Sequence, residues 1–180
     1  CLGCWLLLIC KKALAAHKQK KVVEKFNKTS ELFDNVCFAM FENKKKSLFE
    51  TQLKWLGFQN EYDKVLFDGI QVPQKSSFVW HSTYTVYNQR LKELIQKIKP
   101  TQIYLCGLFS DVCLLKITMD MFDDGIVAYV VKDLSASPHG DGTNHIAFAI
   151  MKMVIGTDRI ISTREIANGE YISMDSIIIL

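Results

Sequence analysis

The sequence contains no run of about 18 consecutive apolar residues, the length a membrane-spanning helix needs, so no membrane span is expected. No Gly-x-Gly-x-x-Gly follows a strand-like segment and no Gly-x-x-x-x-Gly-Lys-Ser/Thr occurs, which disfavours a dinucleotide or P-loop site. Cys1 and Cys4 form a CxxC pair, but no second pair follows at zinc-ligand spacing, and no metal or other cofactor is expected. Charge of one sign is also scarce. The net charge is +3, and the lysines of the 18–21 and 44–46 segments have no aromatic side chains placed beside them for stacking on bases, so they read as solvated surface and no nucleic-acid partner is expected. Internal repeats and low-complexity segments are absent. The apolar run Leu2 to Cys10 is short and is followed, not preceded, by positive charge, the wrong order for a secretory signal. The chain opens on Cys1 without an initiator methionine, so its beginning is expected to be either processed or not the whole natural N-terminus.

What is present is ordinary globular material. Apolar residues make up 49% and charged residues 23% of 180 residues, which suits one domain over residues 1–180 that buries about 70% of its unfolded surface. The six cysteines (1, 4, 10, 37, 106 and 113) lie mostly in apolar runs, as reduced thiols of a cytoplasmic protein do, and not in the spacing of a secreted disulfide framework.

Periodicity divides the chain into alternating strands and helices. Trp5 to Ile9 is a continuous apolar run expected to form a first buried strand, followed by a basic helix from Lys11 to about Leu32 carrying Val22, Val23 and Phe26. Val36 to Met40 reads as a second strand after the turn pair Asp34-Asn35. A loop with a short helix near Phe49 to Trp55 is expected next, and Lys64 to Val72 reads as one or two short strands. Val86 to Lys99 has apolar residues at Leu91, Leu94, Ile95 and Ile98 and is stopped by Pro100, a helix pattern. Strands at 103–106, 126–131 and 159–162 alternate with helices after Cys113 and over His145 to Val154, and Ile177 to Leu180 suits either a last strand or an assembly contact. The sum is an α/β fold: a mostly parallel sheet between helical layers, an α-β-α sandwich.

In such folds ligands sit at the carboxyl ends of the strands. That rule collects Cys10, Lys75, the 107–113 turn and Asp133 as candidate positions. The most informative stretch is Tyr104 to Gly125, where an apolar strand enters a glycine turn and Cys113 opens a helical segment that Gly125 closes. A thiol at a helix N-terminus is favoured as thiolate. A small buried core residue is the other reading of Cys113.

The segment Tyr-Leu-Cys-Gly-Leu-Phe-Ser-Asp-Val-Cys (104–113) resembles the strand-Gly-x-x-Thr-Asp-x-Cys motif of the isochorismatase-like cysteine hydrolases, the superfamily of nicotinamidases, carbamoylsarcosine amidases and isochorismatases, with Ser110 in place of threonine. Asp-Leu-Ser-Ala-Ser (133–137) is similar to that family's Asp-Ala-x-Ala-Ser, ahead of a helix carrying His145, and Lys75-Ser-Ser-Phe78 is similar to its Lys-x-x-Tyr/Phe. The resemblance covers about Val22 to Ile166. It implies a Rossmann-like isochorismatase fold, a Cys113 thiolate that attacks a carbonyl or related carbon, and Lys75 beside it. It also implies backbone N–H donors of Phe109 and Cys113 at the oxyanion, each worth roughly 2.7 to 4 kcal/mol when lost. A cis peptide between Leu108 and Phe109, a small-molecule substrate, and assembly as a dimer or tetramer follow from the same resemblance.

Two departures from the pattern matter. The family places an aspartate, the proton shuttle, just after the first strand, where this sequence reads Ile9-Cys10-Lys11. Either the N-terminus differs from that of an active protein, or the chain is a catalytically impaired relative that binds without turnover. The histidine-containing metal site that the resemblance implies for nicotinamidases is replaced by Phe41-Glu42-Asn43-Lys44-Lys45-Lys46, which argues against metal and nicotinamidase activity. The resemblance also implies that isochorismatases proper often lack the cysteine, so Cys113 argues for an amide, imide or ureido C–N bond over a vinyl ether as target.

Phe78, Trp80 and Leu108 are candidate pocket residues, the two aromatics being equally suited to packing. His81 is expected near the site, His145 in a structural or interface role, Asp111 as a turn holder, and Cys106 in the core.

Overall fold

The computed structural model describes residues 16–66, 68–171 and 176–180. The expected first strand, Trp5 to Ile9, lies outside the described residues, as do Cys1, Cys4 and Cys10.

The strands are β1 (Asn35–Phe41), β2 (Ser76–His81), β3 (Gln102–Leu105), β4 (Ala128–Val131), β5 (Ile160–Ile161) and β6 (Ser176–Ile179). They form a six-stranded sheet in the order β2-β1-β6-β3-β4-β5, and each neighbouring pair is parallel. The helices are α1 (Ala16–Ser30), α2 (Leu48–Thr51), α3 (Gln89–Ile98), α4 (Leu115–Asp123), α5 (Asp141–Ile155) and α6 (Thr163–Ala167). The run from Ile177 to Leu180 is thus a strand, and it holds the middle of the sheet between β1 and β3, pairing Cys37 with Ile179 on one side and Leu105 with Ile179 on the other.

Strand side chains alternate between two cores because their period is two. Cys37, Ile103, Leu105, Val130, Ile177 and Ile179 pack against α3, α4 and α5 through Leu91, Ile117, Met121 and Met151. Val36, Phe38, Tyr104, Val131 and Ile178 face the other way, onto Phe26 of α1 and Ile166 of α6. Both faces of the sheet are therefore buried, the condition that makes parallel strands read as unbroken apolar runs.

Local chemistry sets the helix ends. The Asn88 side chain accepts from the Leu91 N–H to start α3, and Lys99 ends it in the left-handed region ahead of Pro100. At the end of α4, Gly125 takes a φ of +73° while its N–H donates to the Phe122 carbonyl and the Ile126 N–H donates to the Met121 carbonyl. That pair of bonds is a Schellman cap, which a residue bearing Cβ would strain. Two expected elements differ. Among the described residues of the 64–72 segment there are bends and turns and no strand, because Asp68-Gly69 interrupts it and Gly69 takes a φ of +87°. The helical segment expected to open at Cys113 begins instead as a π turn over Ser110–Leu114, with the α-helix starting at Leu115. No helix among the described residues is long and apolar enough to cross a membrane.

Candidate active site

The carboxyl ends of β1, β2, β6 and β3 open into a cavity of about 440 Å³. Met40 and Phe41, His81, Ile179 and Leu180, and the Leu105 to Phe109 segment line it from those strand ends, and Val112 and Cys113 line it from the π turn. The Phe109 carbonyl accepts from both the Val112 N–H (3.1 Å) and the Leu114 N–H (3.2 Å), which winds the wide turn that carries Cys113. Such π turns recur at functional sites, since the extra residue re-aims the side chains around it.

Hydrogen bonds stitch this turn to the loop after β4. The Ala136 N–H donates to the Gly107 carbonyl (3.1 Å), the Ser110 N–H donates to the Ala136 carbonyl (3.1 Å), and the Ser110 hydroxyl, fully buried, donates to Asn144 Oδ1 (2.6 Å). The result brings His139 to the cavity wall, where its Nδ1 lies 2.5 Å from Asp111 Oδ2 and its ring meets Phe109 edge-on with centroids 6.2 Å apart.

Burial pushes the Cys113 thiol up to about 11, with the Asp111 carboxylate adding to the effect. Both effects run against the thiolate expected at this position. The π turn does not give the sulfur the helix terminus that the spacing suggested, and the nearest charge acting on it is negative. The Leu108–Phe109 peptide is trans, because no cis peptide bond occurs among the described residues, contrary to expectation.

Lys75 stands away from this site. It precedes β2, and its carbonyl accepts from the Val36 N–H at the amino end of β1 (3.1 Å), so the length of a six-residue strand, roughly 20 Å, separates it from the cavity. The residue that ends β2 at the cavity is His81, buried, with Nδ1 donating to the Thr83 carbonyl (2.8 Å). Burial draws its pKa below the ordinary histidine value, with the Thr83 bond opposing. A cation does line the cavity, but it is Lys64, which donates to Glu42 (2.8 Å) and Glu61 (3.0 Å). These bonds, Glu42 first, raise its pKa and keep it charged.

Phe78 and Trp80 also differ from expectation. Their register partners Phe38 and Met40 on β1 line the cavity, but Phe78 and Trp80 lie on the edge strand β2 outside it and are exposed, Phe78 by 50%, with Phe78 stacked on Phe38 at a centroid distance of 5.3 Å. The aromatic wall of the cavity comes instead from Phe41, Phe49, Trp55, Phe58 and Tyr84, where Phe41 stacks on Trp55 at 5.7 Å and meets Phe49 and Phe58 edge-on. Leu108 and Phe109 do line the cavity. Asp133 is a structural tie: Oδ1 accepts from the Thr163 N–H (2.8 Å), and Oδ2 accepts from the Thr163 hydroxyl (2.7 Å) and from Lys25 (3.0 Å), joining β4 to α6 and α1. His145 is exposed on α5, and Cys106 is buried in the core. No group of three His, Cys, Asp or Glu side chains among the described residues is placed to hold a metal ion.

The isochorismatase domain model matches residues 8–163. The chain belongs to the isochorismatase family. β6 lies beyond the matched segment although it sits at the centre of the sheet. Solved structures of this fold agree with the architecture. An isochorismatase-like hydrolase from Alkaliphilus metalliredigens superposes with a TM-score of 0.73 at 10% identity, covering 86% of this chain and 87% of its own. N-carbamoylsarcosine amidase from Thermoplasma acidophilum gives 0.71 at 15%, covering 87% and 90%, and nicotinamidase PncA from Bacillus subtilis gives 0.70 at 18%, covering 82% and 86%. Comparison with curated protein sequences gives no match.

Sequence reasoning missed His139 and the aromatic wall. His139 is 28 residues from Asp111, and no spacing signal connects the two; only the bonds between Gly107, Ser110 and Ala136 bring them together. The aromatic cluster at 41, 49, 55 and 58 was a legible signal, since four large rings in 18 residues need a shared apolar surface.

Proposed function

We propose that this isochorismatase-family chain, one domain over residues 1–180, is a hydrolase of a small-molecule amide, imide or ureido C–N bond, with the Cys113 sulfur as nucleophile. The observation that carries this reading is the position of Cys113: a thiol on a π turn, lining an apolar cavity at the carboxyl ends of the central strands. Similar structures include an N-carbamoylsarcosine amidase and a nicotinamidase, both named for action on C–N bonds. Attack would place negative charge on the carbonyl oxygen, and the backbone N–H groups of Phe109 and Cys113 are the proposed donors to it. Phe41, Trp55 and Tyr84 supply flat apolar surface for the body of the substrate.

A binding protein without turnover is the rival, favoured by the Cys113 thiol lying up at about 11 and by the placement of Lys75 far from it. A screen of primary amides, cyclic imides and ureido compounds against the wild type and Cys113→Ala decides between them. Turnover lost in the variant supports the nucleophile, equal turnover removes Cys113 from the reaction, and saturable binding with no turnover by either protein supports the rival. Assembly as a homo-oligomer is part of the proposal, since Phe122 of α4 and Ile146 and Met153 of α5 are exposed on helices that pack together; a monomer by sizing would remove it.

A further inference from the structure

Burial and then the Asp111 carboxylate favour the thiol form of Cys113, so attack needs a group that takes its proton. Cys10, the residue at the position where the resemblance implies an acid, is a thiol, and Lys75 lies at the other end of its strand. Among the described residues, a histidine of the cavity that Cys113 lines, His139, is paired with a carboxylate, Asp111. His139 Nδ1 and Asp111 Oδ2 are 2.5 Å apart; a carboxylate only accepts, so Nδ1 is the donor and Nε2 is the nitrogen left to accept a proton. His139 lines the same cavity as Cys113, and Asp111 is two residues from Cys113 on the same π turn. Phe109 holds one edge of the ring, the His139 N–H donates to Ser137 Oγ (3.0 Å), and the bonds between Ser110, Ala136 and Asn144 fix the two loops against each other. The second carboxylate oxygen, Asp111 Oδ1, is buried and accepts no hydrogen bond among the described residues, so the charge of the carboxylate is left to act on the imidazole.

Building on the reading of Cys113 as nucleophile, we propose that His139 is its general base and that Asp111 is the positioning residue that fixes the ring tautomer. His139 Nε2 takes the proton as the Cys113 sulfur bonds to the substrate carbonyl carbon and the C=O π pair moves to oxygen. When that oxygen re-forms its double bond the C–N bond breaks, and the proton passes from Nε2 to the leaving nitrogen, which departs as the amine and leaves a thioester. Water then gives a proton to Nε2 while its oxygen adds to the thioester carbon. Collapse breaks the S–C bond, the sulfur recovers the proton from Nε2, and the carboxylic acid departs.

The test follows Cys113 itself and does not depend on knowing the substrate: the rate of its alkylation by iodoacetamide, located by peptide mapping, over a series of pH values. His139→Ala is expected to slow labelling near neutral pH by about tenfold or more, and added imidazole is expected to restore it. His139→Gln, which keeps a donor for Asp111 but accepts no proton, is expected to match the alanine variant and covers the case in which alanine does not fold. Asp111→Asn is expected to slow labelling and move the midpoint of its pH profile, with Asp111→Glu partly recovering both. Labelling of the His139 variants at the wild-type rate overturns the proposal. So does faster labelling of Asp111→Asn, the result expected if the carboxylate acts on the thiol only as a repelling charge. In the amide screen, loss of turnover in Cys113→Ala with full turnover in His139→Gln removes the base and keeps the nucleophile, whereas full turnover in Cys113→Ala removes both.

Discussion

The Ala39 N–H donates to the Leu180 carbonyl (2.5 Å), and the Leu180 N–H donates to the Cys37 carbonyl (2.8 Å), so Leu180 extends the ladder of β6 along β1. On the other side the Cys106 N–H donates to the Ile179 carbonyl (3.0 Å), tying the start of the nucleophile turn to the same strand. The end of β6 is therefore both the centre of the sheet and part of the cavity floor.

If β6 is that keystone, Ile178→Ala removes methylenes from a fully buried site packed with Phe38 and Tyr104. The expected loss is about 2–5 kcal/mol of unfolding free energy, read by urea denaturation. A loss within about 0.5 kcal/mol, typical of a surface change, would mean that β6 is not in the core.

Cys113 links stability to alkaline pH. Its pKa is raised in the fold, from 9.0 to about 11, so the stabilisation is whole below about 9 and is lost as pH climbs through about 11. Cys37, Tyr87 and Tyr104, each pushed up to about 12 by burial first, act in the same direction. Denaturation midpoints should fall with rising pH over that window, and less steeply in Cys113→Ser; an equal slope would show that the thiol pKa is not raised by the fold.

Asp133 works at the acid end. Burial opposes its ionisation, but the Thr163 hydroxyl and N–H and the Lys25 ammonium outweigh burial and hold the carboxyl below its ordinary value. A depressed carboxylate stabilises above the unfolded pKa, about 3.9, and loses that contribution as pH falls through the folded value. Asp133→Asn should cost about 1.5–3 kcal/mol at neutral pH, nearly all of it from the Thr163 bonds since Lys25 is substantially exposed, and the variant should show less acid dependence than the wild type.

His81 gives a second acid-side signature at higher pH. Its pKa lies below the ordinary 6.5, so its contribution is present above that value and is lost as pH falls through the folded pKa, where the buried ring must take a charge. Stability of the wild type should decline below about pH 6.5, and His81→Gln should lack that part of the decline. An unchanged profile in the variant would place the effect on another histidine.

Much of the frame was legible along the chain. The runs 103–106 and Val36 to Met40 read as buried strands, α3 ended before Pro100, and Gly125 capped α4, because each is governed by neighbours within a few residues. In the site, Cys113, Leu108 and Phe109 were found by a local motif and do line the cavity. Lys75 was not placed correctly by its motif, since a lysine three residues before an aromatic does not say at which end of a strand it stands. Phe78 and Trp80, equally suited to pocket or packing by sequence, miss the cavity because β2 is the edge of the sheet, and strand order is set by distant segments.

The sequence by itself determined the alternation of apolar strands with amphipathic helices, and hence a parallel sheet with both faces covered, because burial of apolar side chains follows periods of two and of three to four residues. Tertiary structure alone decided that β6 enters between β1 and β3, that the partly buried Cys113 lines the cavity from a π turn, and that Asp111 meets His139. Those outcomes depend on which distant segments share a low-dielectric space, and neither a thiol's ionisation nor a carboxylate's partner is written in the residues beside it.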